Sequence, residues 1–273
     1  MRHKDIDPPE ALRNLIRGIW YLEQDFGPSP LPFEVLPDGH AEIIFHFGGG
    51  LSRMKDTVLQ ELPSPFIVGL LDQTVHFYGK DRLQIIGIKC FPWAVYTLLE
   101  LPAVKGGVQV FKHPLAGLHV HLDALISAGR IDEALQVVIN WFVQAGFNVN
   151  MPVELEKAGQ AMLKANGNLP ARSVAEAAHA TIRTLERKFK ASSGYTIQDV
   201  SGLMRFEQVR DRLWCNPDAA IAGVAHESGY SDQSHLNREF KRYCGMTAGA
   251  FAKMIKARRD TFGSDFVAIV LSS

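Results

Sequence analysis

Two decapeptides near the C-terminal end carry residue types that read nucleic-acid bases, at one shared spacing. Residues 185–194 run Leu185-Glu186-Arg187-Lys188-Phe189-Lys190-Ala191-Ser192-Ser193-Gly194. Residues 236–245 run Leu236-Asn237-Arg238-Glu239-Phe240-Lys241-Arg242-Tyr243-Cys244-Gly245. Leu, Arg, Phe, Lys and Gly keep one register in both. An arginine can donate to guanine O6 and N7 together, and Asn or Gln can pair with N6 and N7 of adenine. The side chain must then stand on the outer face of a rigid element, and the spacing supplies one. Leu185/Phe189 and Leu236/Phe240 are i, i+4 pairs, so each pair buries one helix face. Arg187 and Arg238 follow their leucines by two residues, about 200° round a helix, and face away from the core. Gly194 and Gly245 end each helix where a left-handed residue is wanted. Upstream lie short Ala-rich helical runs, 174–178 and 221–227, each joined to its repeat by a tight turn. Short helix, turn, amphipathic helix with an outward basic residue is the pattern of a helix-turn-helix DNA reader. Two copies predict one polypeptide reading two groove segments.

The charge distribution agrees. The 273 residues have a formal net charge of zero, but residues 1–165 carry 14 Lys/Arg against 18 Asp/Glu and residues 166–260 carry 15 against 10. The electrostatic footprint for a phosphate backbone therefore lies in the C-terminal part. Cys90, Cys215 and Cys244 are far apart and odd in number, giving neither a disulfide framework nor a Cys-x-x-Cys metal site, as suits a reducing cytosol. The N-terminus lacks an apolar signal core, and no run approaches the roughly 18 apolar residues of a membrane span. The expectation is a soluble cytoplasmic protein. No Gly-x-Ser-x-Gly, P-loop or dinucleotide fingerprint is present, so the chain reads as no enzyme and as needing no cofactor.

The elements that must position these residues fall into two domains, of overall class α+β. Turn residues punctuate residues 1–113, and β-type runs lie between them at 18–23, 41–47, 66–70, 74–78 and 83–91, which predicts a small barrel or sandwich. Helices are expected at 93–101 and 119–145, the second broken near Gly129. Residues 148–152 read as the linker, with Pro152 opening a helix over 153–165. A connector helix, roughly 197–214, joins the two DNA-reading units and stops before Asn216-Pro217-Asp218. The tail, 261–273, contains a β-type run at 266–271 that predicts an extra strand.

Residues 153–260 resemble the DNA-binding domain of AraC/XylS-type transcription regulators. The second unit carries the signature: Ile221-Ala222-x-Val224-Ala225, then Gly229-Tyr230-Ser231-Asp232-Gln233-Ser234-x-Leu236-x-Arg238-x-Phe240-Lys241 and Gly245. In the first unit His179-Ala180 stands where the family's turn usually has Gly; His is among the non-Gly residues that tolerate positive φ. Ala248 stands where the family often has Pro. The resemblance implies recognition helices at about 181–191 and 232–243, entering successive major grooves of double-stranded DNA. It places Arg183, Glu186 and Arg187 of the first, and Gln233, Ser234, Asn237 and Arg238 of the second, toward the bases. Lys190, Lys241 and Arg242 are expected on phosphates. It also implies that residues 1–150 form a cupin-like effector or oligomerisation domain, that a small-molecule effector and a homodimer are involved, and that RNA polymerase is a partner if the protein activates.

Three further readings remain open. Trp20, Tyr21, Phe45, Phe77, Tyr78, Phe91, Trp93 and Tyr96 are candidates for lining an effector pocket, with core packing as the alternative and Trp20, Phe45, Tyr78, Phe91 and Trp93 put first. His40-x-Glu42-x-x-x-His46 could resemble metal ligands, as could His113, His119 and His121, but a polar outer strand face is the ordinary explanation, and no metal site is assigned. A partner- or ligand-binding protein with a degenerate DNA domain is the alternative function, and a DNA-repair enzyme a more distant one; the repair chemistry needs a Cys cluster that is absent.

Overall fold

Turn residues cut the N-terminal part into short strands that pair only with antiparallel neighbours. The computed structural model describes residues 2–144, 151–262 and 269–271. The strands are β1 (Arg2–Ile6), β2 (Ile16–Asp25), β3 (Leu31–Val35), β4 (Ala41–Gly48) and β5 (Leu51–Lys55), then β6 (Val58–Glu61), β7 (Phe66–Val68), β8 (Val75–Gly79), β9 (Arg82–Cys90) and β10 (Val108–Val110). One sheet runs β1-β2-β9-β4-β7-β10. The other runs β3-β8-β5-β6 and gains β11 (Ile269–Leu271), which pairs antiparallel with β3 so that Ile269 lies opposite Val35. The tail thus returns to the N-terminal domain as a strand. The expected linker at 148–152 falls mostly outside the described residues.

β2, β4 and β9 are buried on both faces, which is why they read as nearly continuous apolar runs. On one face Ile19, Tyr21, Ile43, Phe45, Ile86 and Ile88 meet the helices. On the other, Leu22, Ile44 and Ile85 meet Phe33, Leu51 and Phe77 of the second sheet. This corrects the expectation for residues 40–46: the face bearing Glu42 is no outer surface but the inside of the two-sheet sandwich. His46 is engaged by the Leu62 carbonyl through Nε2 at 3.0 Å, and His119 Nε2 meets the carbonyl of His46 at 3.2 Å. His40 Nδ1 meets the Asp38 carbonyl at 2.7 Å. These imidazoles therefore serve backbone contacts.

The helices are α1 (Val95–Leu98), α2 (Leu118–Ser127), α3 (Ile131–Gln144), α4 (Val153–Lys164) and α5 (Ala171–Ala177), followed by α6 (Ile182–Ser193), α7 (Ile197–Cys215), α8 (Ile221–Glu227), α9 (Gln233–Cys244) and α10 (Ala248–Phe262). α1 is shorter than the expected 93–101, because Glu100 takes a left-handed φ of 50° and Pro102 disfavours helix at Leu101. The break between α2 and α3 falls at Gly129, φ 72°, where Arg130 N–H bonds back to the Leu125 carbonyl. α2 and α3 cover the sheet through Leu122, Val138 and Phe142. The same core runs on into the C-terminal helices. Trp93 packs edge-to-face on Phe189 of α6 with ring centroids 6.2 Å apart. It also lies against Gly159 of α4, where an added Cβ would sit 2.3 Å from the Trp93 ring. The two domains therefore share one continuous apolar core.

Candidate nucleic-acid interface

The two helix-turn-helix units are built by the same local devices. Thr181 caps α6 by accepting from Thr184 N–H at 3.1 Å, and Asp232 caps α9 by accepting from His235 N–H at 2.8 Å. Gly194 and Gly245 close the helices at φ 80° and 76°. In the second turn Gly229 takes φ 75° and Tyr230 N–H bonds to the Ala225 carbonyl at 3.0 Å. In the first, His179 takes φ 51° and Ala180 N–H bonds to the Ala175 carbonyl at the same 3.0 Å. His179 thus occupies the glycine's conformation, and the departure in sequence leaves the turn formed. α7, 19 residues long, links the units and begins with a capping box between Thr196 and Asp199. Arg205 anchors α7 to the α4–α5 connection and to α9, donating to the Gly167 carbonyl at 3.0 Å and pairing with Glu239 at 3.3 Å.

Leu185, Phe189, Leu236 and Phe240 are buried, and the faces opposite them are open. Arg183, Arg187 and Lys190 of α6 are exposed, as are Gln233, Ser234, Arg238, Lys241 and Arg242 of α9. Arg242 lies 3.7 Å from Asp199 and over the Tyr243 ring, at the edge of this face. Two of the expected base readers differ. Asn237 uses its side-chain carbonyl to accept from Ala248 N–H at 3.2 Å, tying α9 to α10, so the acceptor half of an adenine contact is already committed. Glu186 is half-buried, and its Oε2 is shielded from water without a hydrogen-bond partner. Neither presents the free edge that direct readout needs.

A second cluster of functional groups lies where α7 meets the N-terminal domain. Arg210 is 2% exposed, donates to the Pro37 carbonyl at 2.5 Å and to Asp211 at 2.8 Å, and lies 3.7 Å from Glu207. Glu207 in turn lies 3.6 Å from His40 Nδ1. Asp38 pairs with Lys89 at 2.7 Å, and Lys89 reaches Glu42 at 3.6 Å. Burial pushes Glu207 up to about 8 and His40 down to about 4. Burial alone would lower Lys89, but Asp38 and Glu42 more than reverse it and hold the ammonium charged. The chain of groups runs from the helix between the two DNA-reading units to the wall of a cavity.

That cavity, about 140 Å³, lies between the two sheets. Trp20, Phe33, Phe66 and Phe77 give it apolar walls, with Glu42 and Lys89 as its inner polar groups. Glu42 and Lys89 are direct cross-strand partners of β4 and β9. Trp20 lies against Gly87, its own cross-strand partner, where a Cβ would sit 2.2 Å from the indole. Of the eight aromatics expected to line a pocket, Trp20 and Phe77 line this one. Phe45, Phe91 and Trp93 belong to the core between sheet and helices, and Phe77 lines the cavity where its neighbour Tyr78 does not. Phe91 also borders a separate polar groove with Arg13, Asn14 and Gln160. Sequence reasoning missed Asp38, Lys89, Glu207 and Arg210. Arg210 left one signal: it stands on the apolar stripe of α7 with Leu203, Phe206 and Leu213, where a charge is costly unless paired.

Comparison with known proteins bears on both parts. A family model described as a helix-turn-helix domain matches residues 174–254. A domain of unknown function, DUF6597, matches residues 4–106. The chain is 24% identical over 170 residues to the HTH-type transcriptional activator RhaS of Pectobacterium carotovorum subsp. carotovorum (strain PC1), covering 60% of this chain and 54% of that protein. It is 38% identical over 69 residues to the HTH-type transcriptional regulator RipA of Corynebacterium diphtheriae, covering 25% of this chain and 20% of that protein. The chain thus aligns with about half or less of the length of these curated relatives. Among solved structures, ToxT from Vibrio cholerae O395, bound to (E)-4-(8-methylnaphthalen-1-yl)but-3-enoic acid, is similar at a TM-score of 0.47 and 11% identity, covering 87% of this chain and 99% of that one.

Proposed function

We propose, from the match of residues 174–254 to a helix-turn-helix domain, that the chain is a sequence-specific DNA-binding transcription regulator of the AraC/XylS type, with α6 and α9 entering successive major grooves. The observation that carries this is the pairing of two helices with the same caps and the same exposed basic face at the two ends of one capped connector. A 19-residue helix is about 28 Å long, of the order of the 34 Å turn that separates successive grooves. Arg183, Arg187, Gln233, Ser234 and Arg238 face the bases in this reading, and Lys190, Lys241 and Arg242 the phosphates. Glu186 and Asn237 act in positioning.

The N-terminal domain serves as the sensor. Its cavity holds a small-molecule effector, and the buried polar chain from Glu42 and Lys89 to Arg210 carries the state of that cavity to α7. An effector shifts DNA binding by its differential affinity for two arrangements of this contact. Homodimerisation through α2 and α3, which expose Val120 and Val143, would raise avidity on paired sites. RNA polymerase joins the partners if the output is activation. The test is selection of bound sites from random duplexes by the full chain, followed by footprinting. The expected result is an asymmetric site spanning two turns on one DNA face for each chain bound. Protection confined to a single turn would overturn the two-groove reading.

A further inference from the structure

The cavity between the two sheets has an imbalance of charge that specifies the chemistry of its occupant. Two carboxylates, Asp38 and Glu42, share one ammonium, Lys89, and the sharing is unequal: Lys89 lies 2.7 Å from Asp38 and 3.6 Å from Glu42. Asp38 does not line the cavity, whereas Glu42 does. The carboxylate that faces the cavity is therefore the poorly compensated one. Besides Lys89, the structure gives it the Trp20 indole N–H at 3.3 Å. A buried carboxylate with only long contacts is costly unless a cation or donor is brought to it. Trp20 stands beside it with an aromatic face, which attracts ammonium groups.

Resting on the reading of this cavity as the effector site, we propose that it takes a small apolar molecule carrying an ammonium group, seated with the cation at Glu42 and Trp20 and the apolar body against Phe33, Phe66 and Phe77. The volume sets the scale: a dry cavity of about 150 Å³ holds benzene, so the body is about one ring or a short branched chain. An anionic ligand meets the opposite conditions. Lys89 already has Asp38, and Glu42 would repel a second carboxylate at close range. The cavity mouth adds no cation in excess, since His3 at the rim pairs with Asp5 at 3.5 Å.

Occupation by a cation also has a proton signature. Burial pushes Glu42 up to about 7, with Lys89 of β9 pulling it down and Asp38 of the β3–β4 turn pushing it up. From β2 it meets Trp20, and from β1 the rim pair His3 and Asp5 shares the cavity. A cation needs the ionised carboxylate, so binding below pH 7 requires loss of a proton. Affinity is then about tenfold lower at pH 6 than at pH 8. His3 also lines the cavity, so the comparison is repeated in His3→Gln.

The experiment is calorimetric titration of the full chain with phenethylammonium, 2-phenylethanol and 3-phenylpropionate at pH 6 and pH 8. Phenethylammonium is expected to bind at least tenfold more tightly than the other two at pH 8. That preference is expected to fall at least tenfold in Glu42→Gln and to keep its pH dependence in His3→Gln. If Glu42→Gln does not fold, the pH dependence in the natural chain decides. Tighter binding of 3-phenylpropionate, lost in Lys89→Met, would overturn the cation assignment and leave the effector cavity standing. Equal binding of amine and alcohol would do the same. Failure of all three probes to bind at millimolar concentration would overturn the assignment together with the effector reading.

Discussion

Removing the Arg210 guanidinium while keeping its apolar volume, as in Arg210→Met, isolates the contact that joins the connector helix to the N-terminal domain. Arg210 is fully inside, so little of its interaction is screened by solvent. The substitution leaves the Pro37 carbonyl without its 2.5 Å donor and Glu207 without the cation 3.7 Å away. Breaking a buried pair from one side costs about 3–5 kcal/mol, a large share of the 5–15 kcal/mol that holds a typical domain folded. The loss depends on pH. The raised Glu207 means that the folded state prefers the protonated acid; the stability from this is full below about pH 4.5 and is lost as pH rises through about 8. Arg210 offsets that loss by compensating the carboxylate. Arg210→Met should therefore destabilise most at pH 8 and least near pH 5. Urea unfolding of the full chain followed by tryptophan fluorescence reads the effect, about 1 M or more in midpoint for a slope near 3 kcal/mol per molar. The double variant Arg210→Met/Glu207→Gln should recover part of it, with a coupling of about 1–3 kcal/mol. A single variant within 1 kcal/mol of the natural chain at pH 8, with no coupling in the cycle, would refute the reasoning and leave the interface to apolar packing.

Two other outcomes follow from the DNA-reading units. Arg238→Ala should weaken binding to the selected site by about 1–3 kcal/mol and relax base preference there. Lys241→Ala should weaken all duplexes alike and lower the salt slope by about one; equal losses on selected and random DNA in both variants would contradict the assignment of Arg238 to a base edge. In the turns, Gly229→Ala should destabilise by about 1–2 kcal/mol because the position is left-handed, and its Cβ would also meet Asn168 Oδ1 at 2.1 Å. His179→Gly relieves the same conformation but frees the unfolded chain, so thermal unfolding should show a change below about 1 kcal/mol.

What was legible in the sequence was what local physics fixes. The i, i+4 pairs and the two closing glycines act within one or two helical turns, so α6, α9 and α7 emerge within a residue or two of their expected bounds. The strands with apolar runs were equally plain. β1, β3, β5, β6 and β10 were not, because each is short and mostly half-buried or exposed, and their pairing is set by neighbours rather than by their own pattern. The aromatic candidates went astray for a related reason. In a sheet buried on both sides, alternation separates two faces but does not say which of them holds a cavity, and Phe45 and Trp20 look alike until the helices are placed.

The cavity's chemistry was beyond reach of the sequence because it is made by register. Glu42 and Lys89 become partners only when β4 pairs with β9, and Trp20 finds room only because β2 sets it on Gly87. Read along the chain, Glu42 was a polar residue on an outer strand face and Lys89 one residue of a β-type run. Their burial also bears on the route to DNA proposed above. A carboxylate and an ammonium inside the sandwich must be balanced by groups behind them, and behind them the chain places Asp38, His40 and then Glu207 and Arg210 of α7. The electrostatic balance of the cavity and the seating of the connector helix are therefore one problem with one set of charges. A ligand that changes the charge at Glu42 changes what Asp38 and Arg210 must neutralise, and α7 holds both recognition helices.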